Sequence, residues 1–324
     1  MIQKEVDGHE RSEVDELLLR VSWFYYKDEM TQDEIATRLS VSRASVGRML
    51  DRARKVGLVS IQLNTDHLDS MELNRQLREA FSLSDAHVVP DFDGEDTNQH
   101  AINARVGLGG AQFLGTHLRR ELKLGIGFGE TVSKVVSVSN FHAMGRMHFV
   151  TLTGGVDGYL HPVMSSRPNP ADPGPIAAAV IPSPIVTSTA DLASALKAEP
   201  TVARVLEQAR AVDLAIVGVG TANPDATIVQ MGYLTESDVE MLRESAVVGD
   251  ILGQYFDASG HVVDIPLHDR RIGIELVELK NIPKVIGVAG GMHKIDAILG
   301  ALRGNYLDVL VTNETVAREL LARG

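Results

Sequence analysis

"TQDEIATRLSVSRASVGRMLDRARKVGLVSIQ", Thr31–Gln62, holds the signals that decide how this chain is organised. Between Ile35 and Ser60 stand six basic residues, Arg38, Arg43, Arg48, Arg52, Arg54 and Lys55, against one acid, Asp51: a local charge of +5 in a chain of 324 residues whose net charge is −12. Screening over roughly 8 Å at physiological salt lets such a block act locally despite the remote negative charge. Thr31 and Glu34 make a Thr-x-x-Glu capping box that opens a short helix with Ile35, Ala36 and Leu39 inward. "SVS" turns the chain and Ser42 caps the next helix, whose apolar side is Val46, Met49, Leu50 and Ala53. Lys55 and Gly57 close it.

Working outward, Val14, Leu17, Leu18, Val21, Phe24 and Tyr25 follow helical spacing, with Ser12 and Asp15 as a start signal. On the other side "LVSIQLN" alternates Val59, Ile61 and Leu63 with polar residues and reads as a strand. Helix, helix, tight turn, helix and strand over residues 1–65 are the plan of a winged helix-turn-helix. On its third helix Arg43, Ala44, Gly47, Arg48 and Asp51 lie away from the apolar stripe. Arg43 and Arg48 are the candidates for base edges, because a guanidinium fork meets guanine O6 and N7 together. Thr31, Gln32, Ser42, Ser45, Arg38, Arg52 and Arg54 are candidates for positioning contacts, chiefly to phosphate. Gly47 is out of place in a helix, where it costs about 1 kcal/mol relative to alanine. The expected partner is double-stranded operator DNA, and one such module makes few contacts, so a homo-oligomer, dimer or tetramer, is expected.

The rest, residues 66–324, has a different texture. A helix is expected over Met71–Phe81. Near-continuous apolar runs follow: "AHVVP", "KLGIGFG", "HFVTLTGG", "DLAIVGVG", "KVIGVAGG" and "DVLVTN". They alternate with helical patterns at Gln99–Leu118, Glu130–Phe141, Thr201–Arg210, Ser237–Glu244, Met292–Arg303 and Glu314–Ala322. This predicts an α/β domain with a parallel sheet covered on both faces. The Pro-rich stretch Leu160–Pro175 reads as a loop.

Four strand ends carry glycines: Gly127, Phe128, Gly129, Glu130 and Thr131; Thr151, Thr153, Gly154 and Gly155; Gly218, Gly220 and Thr221; Gly290, Gly291 and Lys294. In a parallel sheet such ends line one edge, and free amides at a helix start suit an anion such as phosphate. "GIGFGE" lacks the third glycine of a dinucleotide loop, no acid ends the following strand, and no Walker lysine is present. Asp250, in "VVGDILGQYFD", fits the role of an acceptor for polyol hydroxyls, or of a helix cap.

There is no cysteine, which excludes disulfides and thiolate metal sites. His142, His148, His161 and His293 show no metal spacing, and neither a metal nor a cofactor is expected. The polar, acidic start lacks the apolar core of a signal peptide, no run reaches a membrane span, and a cytoplasmic protein is expected.

"VSWFYYKDEMTQDEIATRLSVSRASVGRMLDRARKVGLVSIQLN" resembles the amino-terminal domain of the SorC/DeoR-like sugar-binding transcriptional regulators. The likeness continues through "LGIGFGETV", "VTLTGGV", "AVVGDILGQYFDASG" and "GVAGGMHKIDAILGAL". The resemblance implies an effector domain similar to sugar-phosphate isomerases that binds a phosphorylated sugar-like molecule without transforming it. It also implies phosphate contacts from Gly127–Thr131, Thr151–Gly155 and Lys294, with Asp250 and Leu252 in the pocket. Gly47 departs from the serine common at that place in the family, and so does the Leu160–Pro175 stretch. The rival reading is an isomerase or transferase in which Glu130, Asp250 and Lys294 supply acid–base chemistry.

Overall fold

The computed structural model describes residues 16–59, 65–91, 98–139, 141, 147–155 and 176–324. The expected helix start at Ser12, the wing residues from Ser60 to Asn64, His142, His161 and the Leu160–Pro175 stretch lie outside the described residues. The chain divides into two compact units, Met1–Asn64 and Thr65–Gly324.

In the first unit, helix α1 covers residues 16–26, α2 Gln32–Leu39 and α3 Arg43–Lys55. The capping box forms in full: the Thr31 amide donates to Glu34 Oε2 at 2.8 Å, and the Glu34 amide to Thr31 Oγ1 at 3.3 Å. The α2–α3 turn is reached through Ser40 in the left-handed region, φ 55°. Ser42 Oγ then accepts the Ser45 amide at 3.1 Å to start α3. Val21, Ile35, Ala36, Val46 and Leu50 close the small core, with Phe24, Met30, Leu39, Val41 and Met49 around them. Gly57 leaves α3 with φ +75°.

The second unit begins with α4, Thr65–Phe81, which starts ahead of the Met71 that its apolar spacing indicates. Its sheet has seven parallel strands: β1 Asp85–Val89, β2 Lys123–Ile126, β3 Met147–Thr151, β4 Ile176–Ala179, β5 Leu214–Gly218, β8 Val285–Val288 and β9 Val309–Asn313, in the order β1-β9-β8-β5-β2-β3-β4. Successive side chains point to opposite faces, so each strand feeds two cores. Leu214, Ile216, Ile286, Val288, Val309 and Val311 join one apolar cluster, with Val106, Phe113, Val132 and Val135 from helices α5 (Gln99–Gly115) and α6 (Glu130–Val138). Ala215, Val217, Val285 and Leu310 join the other, with Val205, Ile298 and Val316 from helices Pro200–Arg210, Ile295–Arg303 and Glu314–Arg323.

Several elements were not legible in advance, among them helix Ala190–Ala198, strand β4 and a short hairpin. Strand β4, "IAAA", pairs with β3 in parallel but has no β-branched run to announce it. The hairpin β6 Gly249–Ile251 and β7 Gln254–Phe256 is too short for an alternation signal. Its two turn residues, Leu252 at φ 56° and Gly253 at φ 74°, are both left-handed. That is the backbone of a type I′ turn, which normally has Asn or Gly where Leu252 stands.

Candidate functional site

The sheet order places a topological switch between β2 and β5. From β2 the chain proceeds through α6 to β3 on one side; from β5 it proceeds to β8 and β9 on the other. The diverging connections leave a crevice at the carboxyl ends of these strands. A cavity of about 580 Å³ opens there. Among the expected residues, Phe128, Gly129, Glu130, Thr131, Gly218, Gly220, Thr221, Asp250, Leu252 and Lys294 line it.

One wall is the start of α6. Gly129, with φ 132°, precedes the helix without a side-chain cap, and the first amides of α6 have no intrahelical acceptor. Lys294 follows β8 across the cavity. Burial lowers its pKa, and the neighbouring charges of Asp250 and Glu130 work against that shift. Asp250 stands on β6, an edge strand, and caps no helix. Its backbone exchanges hydrogen bonds with Gly220, 2.9 and 3.1 Å, and its Oδ2 accepts the Gly253 amide at 3.0 Å. Burial lifts its pKa to about 6, against the opposing pull of that amide, Lys294 and Arg271. Arg271 lies wholly buried behind the hairpin, with its guanidinium donating to the Leu252 carbonyl at 3.3 Å and paired with Glu275 at 2.8 Å.

Gly127 belongs to the support of the site. Its amide is spent on the Ile216 carbonyl at 2.8 Å, and a Cβ there would stand 3.0 Å from the Leu252 side chain. The Thr151–Gly155 group is not among the residues that line the cavity. Thr151 Oγ1 accepts the Ile181 amide at 2.9 Å, and Thr153 Oγ1 donates to the Ile272 carbonyl at 2.7 Å. The Gly154 amide also goes to Ile272, and the Gly155 amide goes to Ser183. A Cβ on Gly154 would overlap the carbonyls of Ser183 and Pro184. These residues knit β3 to the 181–187 and 271–274 segments, a use that strand-end glycines share with ligand loops and that sequence does not separate.

Sequence reasoning missed the start of α5. Asn98, Gln99, His100 and Asn103 line the cavity, as do Asn223, Asp225, Thr227 and Ile228. Asn103 Nδ2 donates to Glu130 Oε2 at 2.8 Å, while its Oδ1 accepts from Gln99 at 2.8 Å and from Thr131 at 3.2 Å. His100 Nδ1 meets Glu130 Oε1 at 2.5 Å. The available signal was Asn103, an amide among the Ile, Val, Gly, Phe and Leu that this helix buries.

On α3 of the first unit, Arg43, Arg48, Arg52 and Arg54 are exposed. Arg43 makes an open pair with Asp33, 3.4 Å, and Arg48 donates to Ser45 Oγ at 3.0 Å. Thr31 is engaged with Glu34, and the Ser42 and Ser45 hydroxyls are 2.8 Å apart. Arg38, also exposed, lies over the Phe24 ring, 4.5 Å from its centroid. Arg54 is tied to Asp51 on its own helix. Gln32 Oε1 would lie 3.8 Å from a Cβ on Gly47, so the start of α2 flanks the middle of α3.

The comparisons agree on one family. Residues 65–322 match the Sugar-bind family model, a putative sugar-binding domain. The transcriptional regulator LsrR of Enterobacter sp. (strain 638) is 37% identical over 316 residues, covering 95% of this chain and 93% of that one. LsrR of Escherichia coli (strain K12) is 38% identical over 315 residues, covering 95% of each. The full-length sorbitol operon regulator SorC of Klebsiella pneumoniae is structurally similar with a TM-score of 0.70 at 25% identity, covering 94% of this chain and 98% of that one. A DeoR family transcriptional regulator from Listeria monocytogenes gives 0.69 at 26%, covering 78% and 99%.

Proposed function

Because the chain belongs to the family of sugar-binding-domain transcriptional regulators that includes LsrR and SorC, we propose that it reads operator DNA through α3 and is controlled by a phosphorylated sugar-like effector held at the β2–β5 switch point. The relatives it matches are named as regulators, not enzymes. Glu130, Asp250 and Lys294 are accordingly ligand contacts and not an acid–base set.

The observation that carries the effector reading is the polarity of the cavity. Lys294 and the free amides at the start of α6 supply donors beside the Glu130 carboxylate. The Asp250 carboxylate, close enough to Lys294 to oppose the lowering of its pKa by burial, supplies an acceptor, with Oδ2 engaged by its own hairpin and Oδ1 turned to Gly220. Phosphate suits the donors and hydroxyls suit the acceptor. This polarity supports a phosphorylated, hydroxyl-bearing ligand, whether sugar, polyol or acyclic phosphate.

In unit one, the exposed Arg43, Arg48 and Arg52 supply a one-sided basic surface of the kind that enters a major groove. Few contacts per copy make a dimer or tetramer the working form on a two-fold operator. A DNA partner puts the chain to work in the cytoplasm, and none of the described helices is long and apolar enough to cross a membrane. Effector binding favours an arrangement of copies that fits the operator less well. A coupling of about 1–3 kcal/mol changes affinity roughly 5–150-fold.

The test is operator binding by fluorescence anisotropy, with a panel of phosphosugars and their unphosphorylated counterparts. Binding that weakens with salt and responds only to phosphorylated members is expected. Operator affinity unchanged by any ligand that stabilises the protein to heat overturns the reading.

A further inference from the structure

Helix α1 keeps one whole face out of the core of its own unit. Val21 and Leu18 are buried, whereas Glu16, Leu19, Arg20, Trp23, Tyr26 and Lys27 are all exposed, and at about 100° per residue they share a single face about a third of the helix wide. Leu19 is 51% exposed and Trp23 56%. The chain's only tryptophan is thus set on the surface, beside a leucine at helical spacing, with Tyr26 completing the stripe.

The charges along this face have an order. The acid Glu16 is at its beginning and the bases Arg20 and Lys27 lie further along, Lys27 in the turn that follows the helix, where the Trp23 Nε1–H also donates to Asp28 Oδ1 at 3.2 Å. Laid antiparallel on a second copy about a two-fold axis near residues 21 and 22, the face complements itself. Glu16 then meets Lys27 of the other copy, and Arg20 meets the Trp23 ring, a cation–π arrangement. A parallel pairing sets Glu16 against Glu16 and Lys27 against Lys27, which repels. Only the antiparallel register satisfies both the apolar stripe and the charges.

We propose that α1 is a seam between two copies of this chain, pairing their helix-turn-helix units antiparallel about the two-fold axis of the bound operator. The occupant of the stripe is a second α1. One helix face buries far less than the roughly 1,200 Å² of a stable dimer. The seam therefore acts together with copies held on one stretch of DNA or by contacts elsewhere, and it fixes how far apart the two α3 helices stand. It rests on the DNA-reading function above in using the operator's symmetry, but its own contacts are between proteins.

The absence of cysteine makes the test direct. Glu16→Cys and Lys27→Cys are made separately in the full-length protein at exposed positions, and each is treated with a short bis-maleimide, alone and mixed, with and without operator DNA. In the antiparallel seam, like positions are roughly 16 Å apart, about eleven residues at ~1.5 Å each. Covalent dimer is expected in the mixture bound to operator and lost in either single sample, and Trp23 emission moves to the blue as the copies pair. Dimer from each variant alone signals a parallel arrangement and overturns the proposal. So does failure of the mixture to cross-link on operator that both variants still bind. Cross-linking of the free mixture by a protein that binds no operator leaves the seam standing and removes the DNA-reading function instead.

Discussion

The Asp250 carboxylate occupies the space that a side chain on Gly220 would need. The two residues exchange both backbone hydrogen bonds, and a Cβ added at Gly220 would overlap Oδ1 of Asp250. A glycine two residues past β5 thus has a reason independent of backbone dihedrals: it admits an acid from another strand to the lining of the cavity.

Gly220→Ala consequently pushes the carboxylate away from its place. Overpacking of this kind costs about 1–3 kcal/mol, and the site loses its hydroxyl acceptor. Effector affinity is expected to fall at least about tenfold, with a lower melting temperature. Isothermal titration beside a thermal melt checks both, and unchanged affinity in a folded variant refutes the placement.

Asp250 also predicts a pH dependence. Burial raises its pKa from 3.8 to about 6, so the folded chain holds this proton more tightly than the unfolded chain does. Its contribution to stability is therefore greatest below about pH 4, declines as pH rises towards about 6, and is flat above. The full amplitude is at most about 3 kcal/mol, because each tenfold difference in proton affinity between the folded and unfolded chain is worth about 1.4 kcal/mol. Asp250→Asn should remove that slope from denaturation curves taken between about pH 4 and 7 and should abolish effector binding at about pH 7. A slope that survives in the variant belongs to another group.

Lys294→Met separates phosphate recognition from recognition of hydroxyls. A charge-assisted hydrogen bond is worth about 1.5–3 kcal/mol, so affinity for phosphorylated ligands should drop roughly 10–100-fold. Affinity for the unphosphorylated counterparts should change little. Equal losses for both, measured by titration calorimetry, would place the phosphate elsewhere in the cavity.

Much of this was readable in Thr31–Lys55 and in the six apolar runs, because buried parallel strands need apolar side chains on both faces and helix starts need caps. Thr31 with Glu34, and Ser42 with Ser45, do in the structure what their spacing indicates. The strand ends were less legible. Gly127 and Gly154 are required by close packing against Leu252 and against Ser183 and Pro184, segments distant in sequence. The α5 contribution, Gln99, His100 and Asn103, depends on a long-range meeting with Glu130 and Gly290 that no local pattern encodes.

The arginines of the first unit should divide by their surroundings. Arg52→Ala, at an exposed position on α3, is expected to weaken operator binding and to lower the salt slope by about 1. Arg38→Ala, which removes a guanidinium from the Phe24 ring, should cost about 0.5–1 kcal/mol of stability and leave the salt slope alone. Anisotropy titrations at several salt concentrations, set beside thermal melts, distinguish the two. A reduced slope in Arg38→Ala would return that side chain to the DNA face.

Gly47 poses the sharpest question on α3. A Cβ there meets nothing closer than Gln32 Oε1 at 3.8 Å, an ordinary van der Waals contact. Alanine fits the helix, and Gly47→Ala should stabilise the unit by about 0.4–1 kcal/mol. A more stable alternative left unused points to a requirement outside the fold, close approach of the α3 backbone to DNA. The variant is therefore expected to melt higher and to bind operator at least about fivefold more weakly, a loss of about 1 kcal/mol, since a methyl group would stand where the groove wall must come. Anisotropy against the same operator reads the second effect and calorimetry the first. If both stability and operator affinity rise together, the glycine is no device for approach, and base reading rests on Arg43 and Arg48 alone.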